Sequence, residues 1–172
     1  MTEYDAVVYD LDGTIVDLNV DWNAVATDVL AVYDAADVEP GGNDLWELLL
    51  GADEVGLAAE VESVIASHER EGAPTSPRLR HADELLERTV PVGVCSLNCE
   101  EACQIALEEQ NLHDEVETVV GRDTVETQKP EPEPLLAAVD DLGTSPERAL
   151  FVGDSPRDEL TAERAGTAFE YV

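Results

Sequence analysis

Apolar positions along this chain follow two rhythms. Near the start, Ala6-Val7-Val8-Tyr9 is a short apolar run that ends in Asp10-Leu11-Asp12-Gly13-Thr14. Such a run, bounded by Asp and Gly, predicts a buried strand of a parallel sheet. From Asp21 the spacing becomes three and four. Trp22, Val25, Val29, Leu30 and Tyr33 predict an amphipathic helix through about Ala36, capped by Asp21 and stopped by Pro40-Gly41-Gly42. Asn43 or Asp44 can cap a second helix carrying Leu45, Trp46, Leu48, Leu49 and Leu50. A third is predicted from about Ala52 to Glu71, with Val55, Leu57, Val61, Val64 and Ile65 turned inward, before Gly72-Ala73-Pro74-Thr75-Ser76-Pro77 breaks the chain.

Beyond that break the two rhythms alternate. Helices are predicted over Leu79–Arg88, Glu100–Gln110, Pro134–Leu142 and Asp158–Ala165. Strands are predicted over Val90–Cys95, Glu117–Val120, Ala149–Val152 and Ala168–Val172. Strands alternating with helices define an α/β fold, a Rossmann-like three-layer sandwich with a parallel sheet of about five strands. The three helices after the first strand interrupt that alternation. Roughly 55–60 residues is far beyond an ordinary connection, so they read as an inserted α-helical cap. The expected division is a core of 1–16 and 76–172 with a cap of 17–75.

Composition sharpens this picture. Of 172 residues, 44% are hydrophobic, enough for a core, yet 40 acidic residues face only 9 lysines and arginines, for a net charge of −31. An acidic shell of this kind suits a halophilic protein in a salt-rich cytoplasm, where screening shortens to about 3 Å at 1 M salt. Nucleic acid and anionic membrane would be repelled. Lys129 is the single lysine, which marks it for a specific task. Three cysteines, Cys95, Cys99 and Cys103, are an odd number, which argues against a disulfide framework, and their spacing matches no common zinc or cluster pattern, so they read as buried free thiols. The N-terminus carries no signal-like segment and no stretch is long enough to span a membrane, so a cytoplasmic protein is expected.

The candidate chemistry sits where the strands are predicted to end. Ligands of open α/β sheets bind outside the carboxyl ends of the strands. Asp10 and Asp12 stand at the first of these ends. Two apart, they share one face of a continuing strand, and together they need a shared proton or a divalent cation. Ser96 ends the second predicted strand, Asp154 and Asp158 follow Leu150-Phe151-Val152, and Lys129 precedes the helix leading to it. Each has an ordinary alternative. Ser96 can cap a helix, Asp158 can be a helix N-terminal acid, and Lys129 can pair with Glu131 or Glu133. Jointly, they place one hydroxyl, one ammonium and four carboxylates on one rim.

In order and spacing, Asp10-x-Asp12-Gly13-Thr14, then Ser96, then Lys129-Pro130-x-Pro132-x-Pro134, then Gly153-Asp154-Ser155-x-x-Asp158 resemble the four motifs of the haloacid dehalogenase superfamily, and within it the phosphoglycolate phosphatase-like branch with a helical cap. The resemblance implies a Mg²⁺-dependent phosphatase of a small phosphorylated metabolite. Asp10 would attack phosphorus and form an aspartyl-phosphate. Asp12 would protonate the leaving group and then activate water. Asp10, the Asp12 backbone carbonyl and Asp154 would hold Mg²⁺, with Asp158 nearby. Lys129 and Ser96 would bind phosphoryl oxygens, while Gly13 and Thr14 would support the loop, Thr14 through a hydrogen bond. Within the family the second Asp favours phosphate esters over halides. A phosphomutase uses the same motifs and stays open, as do a phosphoacceptor resembling a response-regulator receiver and a non-catalytic binding protein. For the substrate's remaining part, the candidates are Asn98 and Arg70, then His68, Arg78, Arg80, Asn19, Trp22 and Asn23, with Trp22 also suited to the cap core. The chain ends directly after its fifth predicted strand, which leaves that sheet edge exposed or covered by a partner subunit, in a monomer or a homodimer.

Overall fold

The computed structural model of the protein describes residues 3–172. Five parallel strands, β1 (Ala6–Tyr9), β2 (Val92–Cys95), β3 (Thr118–Val120), β4 (Ala149–Gly153) and β5 (Ala168–Tyr171), form one sheet in the order β3-β2-β1-β4-β5. The first strand is therefore central, and the strand order reverses beside it. In a sheet of this kind that reversal opens a crevice at the strands' carboxyl ends.

Alternation along β1 assigns the two faces. Val7 and Tyr9 point to one side with Val92, Val94, Leu150 and Val152, where helices α4 (His81–Leu86) and α5 (Glu100–Glu109) cover them with Ala82, Leu85, Cys103 and Leu107. Ala6 and Val8 point to the other side with Phe151, where α6 (Glu133–Asp141) and α7 (Pro156–Ala165) supply Leu135, Val139 and Ala162. The result is the expected three-layer α/β sandwich. All three cysteines are free and buried, and burial pushes the thiols of Cys95 and Cys99 up to about 12, so they are inert packing groups.

The remaining helices, α1 (Trp22–Ala35), α2 (Leu45–Ala52) and α3 (Ala58–Gly72), lie between β1 and α4 in sequence and form a third apolar cluster of their own around Val25, Val29, Leu48 and Ile65. Asp21 caps α1 and Asp44 caps α2, each carboxylate accepting from two backbone N–H groups. The chain enters and leaves this helical unit side by side. Asp17 N donates to Pro77 O at 2.9 Å. Gly72 packs so closely on Asn19 that an added Cβ would lie 2.0 Å from its carbonyl oxygen.

Several boundaries differ from the sequence reading. The third inserted helix starts at Ala58 rather than Ala52, because α2 claims Ala52 and a turn through Gly56 separates the two helices. Val55 falls in that turn and is 44% exposed, and Leu50 is 64% exposed on the outer face of α2, so neither is a core residue. The helix expected over Leu79–Arg88 shrinks to the six residues of α4, and β2 begins at Val92, after Pro91. The last helix starts at Pro156, with the Ser155 hydroxyl accepting from Asp158 N, so Asp158 lies in the first turn. Among the described residues no helix is long and apolar enough to cross a membrane.

Candidate active site

Strand β1 delivers Asp10 to the crevice. Its backbone N–H donates to Val152 O at 2.9 Å, which ties the end of β1 to β4, and its side chain is buried. Lys129 arrives from the loop between β3 and α6. Its Nζ donates to Asp10 Oδ1 at 3.0 Å, to Asp158 Oδ1 at 2.6 Å and to the Cys95 carbonyl at 3.2 Å. The three donors of an ammonium are thereby all used, and the group lies 5.4 Å from the centre of the Phe151 ring. Burial alone would lower the Lys129 pKa, but the facing Asp10 and Asp158 outweigh it and hold it above its usual value, so Lys129 remains charged. Asp10 is shifted upward because burial, helped by Asp158 and Asp154, outweighs the attraction of Lys129. One ammonium cannot balance three carboxylates.

Asp154 and Asp158 come from the turn after β4. Oxygens of Asp10, Asp154 and Asp158 lie within 4.8 Å of one another. Asp158 is fixed from two sides, since its Oδ2 also accepts from Asp154 N at 3.2 Å. Gly13, with φ of +84°, lets the chain turn beneath Asp154, where an added Cβ would fall 2.0 Å from Oδ2. These are hard oxygen donors with an uncompensated negative charge, a set that suits Mg²⁺. Asp10, Asp154 and Asp158 are the side chains that would hold it, and the charge it brings would relieve the repulsion that raises Asp10.

Asp12 has a different environment. Its Oδ1 accepts from Leu18 N at 2.9 Å. Burial pushes its carboxyl up to about 6, against the lowering effect of that hydrogen bond, while Asp17, Asp154 and Glu69 add to the rise. Among the described residues the buried Thr14 hydroxyl has no hydrogen-bond partner, so the supporting bond expected of it is not seen.

Ser96 is buried at the end of β2. Its hydroxyl donates to Asn98 Oδ1 at 2.8 Å and accepts from Asn98 N at 3.0 Å. Behind Asn98 lies a network that the sequence reading missed. Asn98 Nδ2 donates to Glu69 Oε2 at 2.7 Å, and Glu69, on α3, is 0% exposed. Arg122, from the loop after β3, donates to both Glu69 oxygens, to both Glu62 oxygens and to Leu97 O. Burial acts to lower the Arg122 pKa, but the hydrogen bonds to Glu62 and Glu69 prevail and hold it above its usual value. An arginine alone in an acid-rich stretch, with glutamates seven apart on a predicted helix, was the available signal.

A cavity of about 400 Å³ opens over the acidic cluster. Asp10, Asp12, Asn98 and Lys129 form its floor, and Trp22, Trp46 and Arg157 form its wall. Trp22 thus faces the cavity as well as packing against the helical unit. Arg70 does not reach the cavity and lies 3.6 Å from Glu101. His68 pairs with Asp28 and Arg78 with Asp83, Asn19 bonds to Ser76 and Thr75, and Arg80 is exposed. Arg157 and Trp46 were not among the residues singled out for substrate contact. Arg157 is the one basic residue within Gly153–Asp158.

The sheet order and the lysine held among acids beside the end of the central strand define a doubly wound α/β protein with a charged site at its strands' carboxyl ends. The profile of haloacid dehalogenase-like hydrolases matches residues 56–172, and the chain belongs to that family. It is 34% identical over 186 aligned positions to a phosphoglycolate phosphatase of Rhodospirillum rubrum, covering 94% of this chain and 76% of that protein. It is 30% identical over 178 positions to the pyrophosphatase PpaX of Bacillus cereus, covering 94% of this chain and 79% of the relative. Among solved structures, it resembles a haloacid dehalogenase-superfamily hydrolase of subfamily IA from Geobacter sulfurreducens, with a TM-score of 0.66, 26% identity and coverage of 98% and 88% of the two chains.

Proposed function

We propose that the protein is a Mg²⁺-dependent phosphatase that hydrolyses a small phosphomonoester, phosphoglycolate-like in size, through an aspartyl-phosphate. The observation that carries this reading is the buried Lys129–Asp10 ion pair at the carboxyl end of the central strand, with a second carboxyl of distinct environment two residues further on.

Asp10 attacks phosphorus. A bond forms from its carboxylate oxygen to phosphorus as the bond from phosphorus to the ester oxygen breaks. Asp12, with its carboxyl raised to about 6, is suited to hand a proton to the departing oxygen. As a carboxylate, it then takes a proton from the water that attacks the phosphoryl group and frees Asp10. Lys129 keeps its charge and faces the oxygens on which negative charge spreads during transfer. Ser96 can join it once its hydroxyl turns from Asn98 Oδ1. Held by Asp10, Asp154 and Asp158, Mg²⁺ would supply positive charge that offsets the repulsion between these carboxylates and a phosphate dianion. The acidic surface supports function in a salt-rich cytoplasm.

Steady-state phosphate release from p-nitrophenyl phosphate, with Mg²⁺ in concentrated salt, tests the reading. Repeated turnover that Asp10→Asn abolishes is the expected result. A single stoichiometric phosphorylation would identify a phosphoacceptor instead. Undiminished activity of Asp10→Asn would remove Asp10 from its role.

A further inference from the structure

The wall of the cavity contains a cation that the phosphate chemistry above does not use. Of the nine lysines and arginines, all but Arg80 and Arg157 make an ion pair with Asp or Glu among the described residues. Arg80 is exposed and lies away from the cavity, whereas Arg157 lines it and is half-buried. In a chain with 40 acidic residues, a guanidinium without an acidic partner is an exception with a position.

Its setting is built from both parts of the protein. Arg157 is carried by the first turn of α7, three residues after Asp154 and one before Asp158. Its Cζ lies 5.9 Å from the centre of the Trp46 ring, a cation–π distance, and Trp46 belongs to α2. Trp46 in turn packs against Trp22, with ring centres 6.2 Å apart. A guanidinium held against an aromatic ring keeps its N–H edges free for a planar oxyanion. The nearby Asp44 carboxylate does not compete, because it caps α2 through Trp46 N at 3.0 Å and Glu47 N at 3.2 Å.

The geometry points to Arg157, steadied by Trp46, as the residue that recognises an anionic group on the leaving side of the substrate, so that the preferred esters are small phosphates whose leaving group itself carries a carboxylate or a phosphate. This rests on the phosphatase reading and adds the substrate's second charge to it. Electrostatics favour such a residue. A leaving group with its own negative charge would otherwise enter a cavity lined by Asp10, Asp12, Asp154 and Asp158, with Lys129 already shared between two of them. The cavity's volume of about 400 Å³ accommodates a phosphate together with a short anionic tail. The two relatives named above act, by their names, on phosphoglycolate and pyrophosphate, which share this feature, a short anionic leaving group.

The test compares three substrates in the whole chain with Mg²⁺ in concentrated salt: 2-phosphoglycolate, pyrophosphate and, as the neutral-tailed comparator, p-nitrophenyl phosphate. Arg157→Met should lower the ratio of kcat/KM for the better anionic substrate to that for p-nitrophenyl phosphate by roughly 10- to 100-fold, mostly through KM, and Arg157→Lys should restore part of it. The anionic substrate with the larger drop identifies carboxylate or phosphate as the group read. Turnover of p-nitrophenyl phosphate with a ratio changed less than about threefold by Arg157→Met overturns the assignment of Arg157 and leaves the phosphatase reading standing. Failure of the wild-type protein to turn over any of the three overturns both.

Discussion

Replacing Asp12 by asparagine should stabilise the metal-free protein at neutral and alkaline pH and do nothing for it in acid. The folded carboxyl titrates at about 6 against a usual value of 3.8, chiefly because it is partly buried. Below the lower value both folded and unfolded chains carry the proton, and folding buries no charge. Between the two, the unfolded chain gives up its proton while the folded one retains it, so stability falls as the pH rises. Above about 6 the full penalty persists. At about 1.4 kcal/mol per pH unit the gap sets an upper bound near 3 kcal/mol, and the solvent that still reaches Asp12 reduces it to about 2 kcal/mol. The amide of Asp12→Asn keeps an oxygen that can accept from Leu18 N, so the substitution removes charge and little else. Urea denaturation in chelator at fixed high salt, from about pH 4 to about pH 8, should show the variant gaining stability over wild type with rising pH. A variant equal to or weaker than wild type at about pH 8, or a gain that persists unchanged into acid, would refute burial as the source of the raised carboxyl.

Three further outcomes are expected. Lys129→Met, which leaves Asp10 and Asp158 facing each other without their shared ammonium, should lower kcat on p-nitrophenyl phosphate by roughly 100-fold or more, and normal kinetics would remove Lys129 from transition-state stabilisation. Arg122→Met strips the counter-charge from the fully buried Glu69 and should cost about 3–5 kcal/mol, a fall in Tm of roughly 6–20 °C for a chain of this size, with Arg122→Met/Glu69→Leu recovering part of it; a fall below about 3 °C would show the network to be incidental. Saturating Mg²⁺ should raise the Tm of the wild-type protein by roughly 5 °C, and Asp154→Asn should abolish that rise, whereas an equal rise in both would place the ion elsewhere.

The sheet was readable because its strands are short apolar runs that end in polar residues, and the crevice-facing groups follow directly from those endings. Asp10, Asp154 and Lys129 needed only strand register and chain order to be brought together. The inserted helices were harder to delimit. Helical periodicity continued through Asp53–Gly56, and the break there depends on a turn that leaves Val55 in solvent. The network of Glu62, Glu69, Asn98 and Arg122 left one faint sequence signal, an isolated arginine and two glutamates seven apart, but it joins three segments of the chain, and nothing local distinguishes its acids from the many that coat the surface. Arg157 was obscured for a related reason. Its meaning depends on Trp46, more than a hundred positions earlier, and on the absence of an acidic partner, which is a property of packing.

The tie between Arg122 and the two glutamates of α3 also bears on how reactants come and go. Swinging the inserted helices away from the sheet would break the ion pairs of Arg122 with Glu62 and Glu69 and the hydrogen bond from Asn98 to Glu69 together, so these contacts favour the closed arrangement. The pocket, lined by Trp22 and Trp46 from those helices and by Asp10 and Arg157 from the core, is thereby held at one width while substrate enters and product leaves.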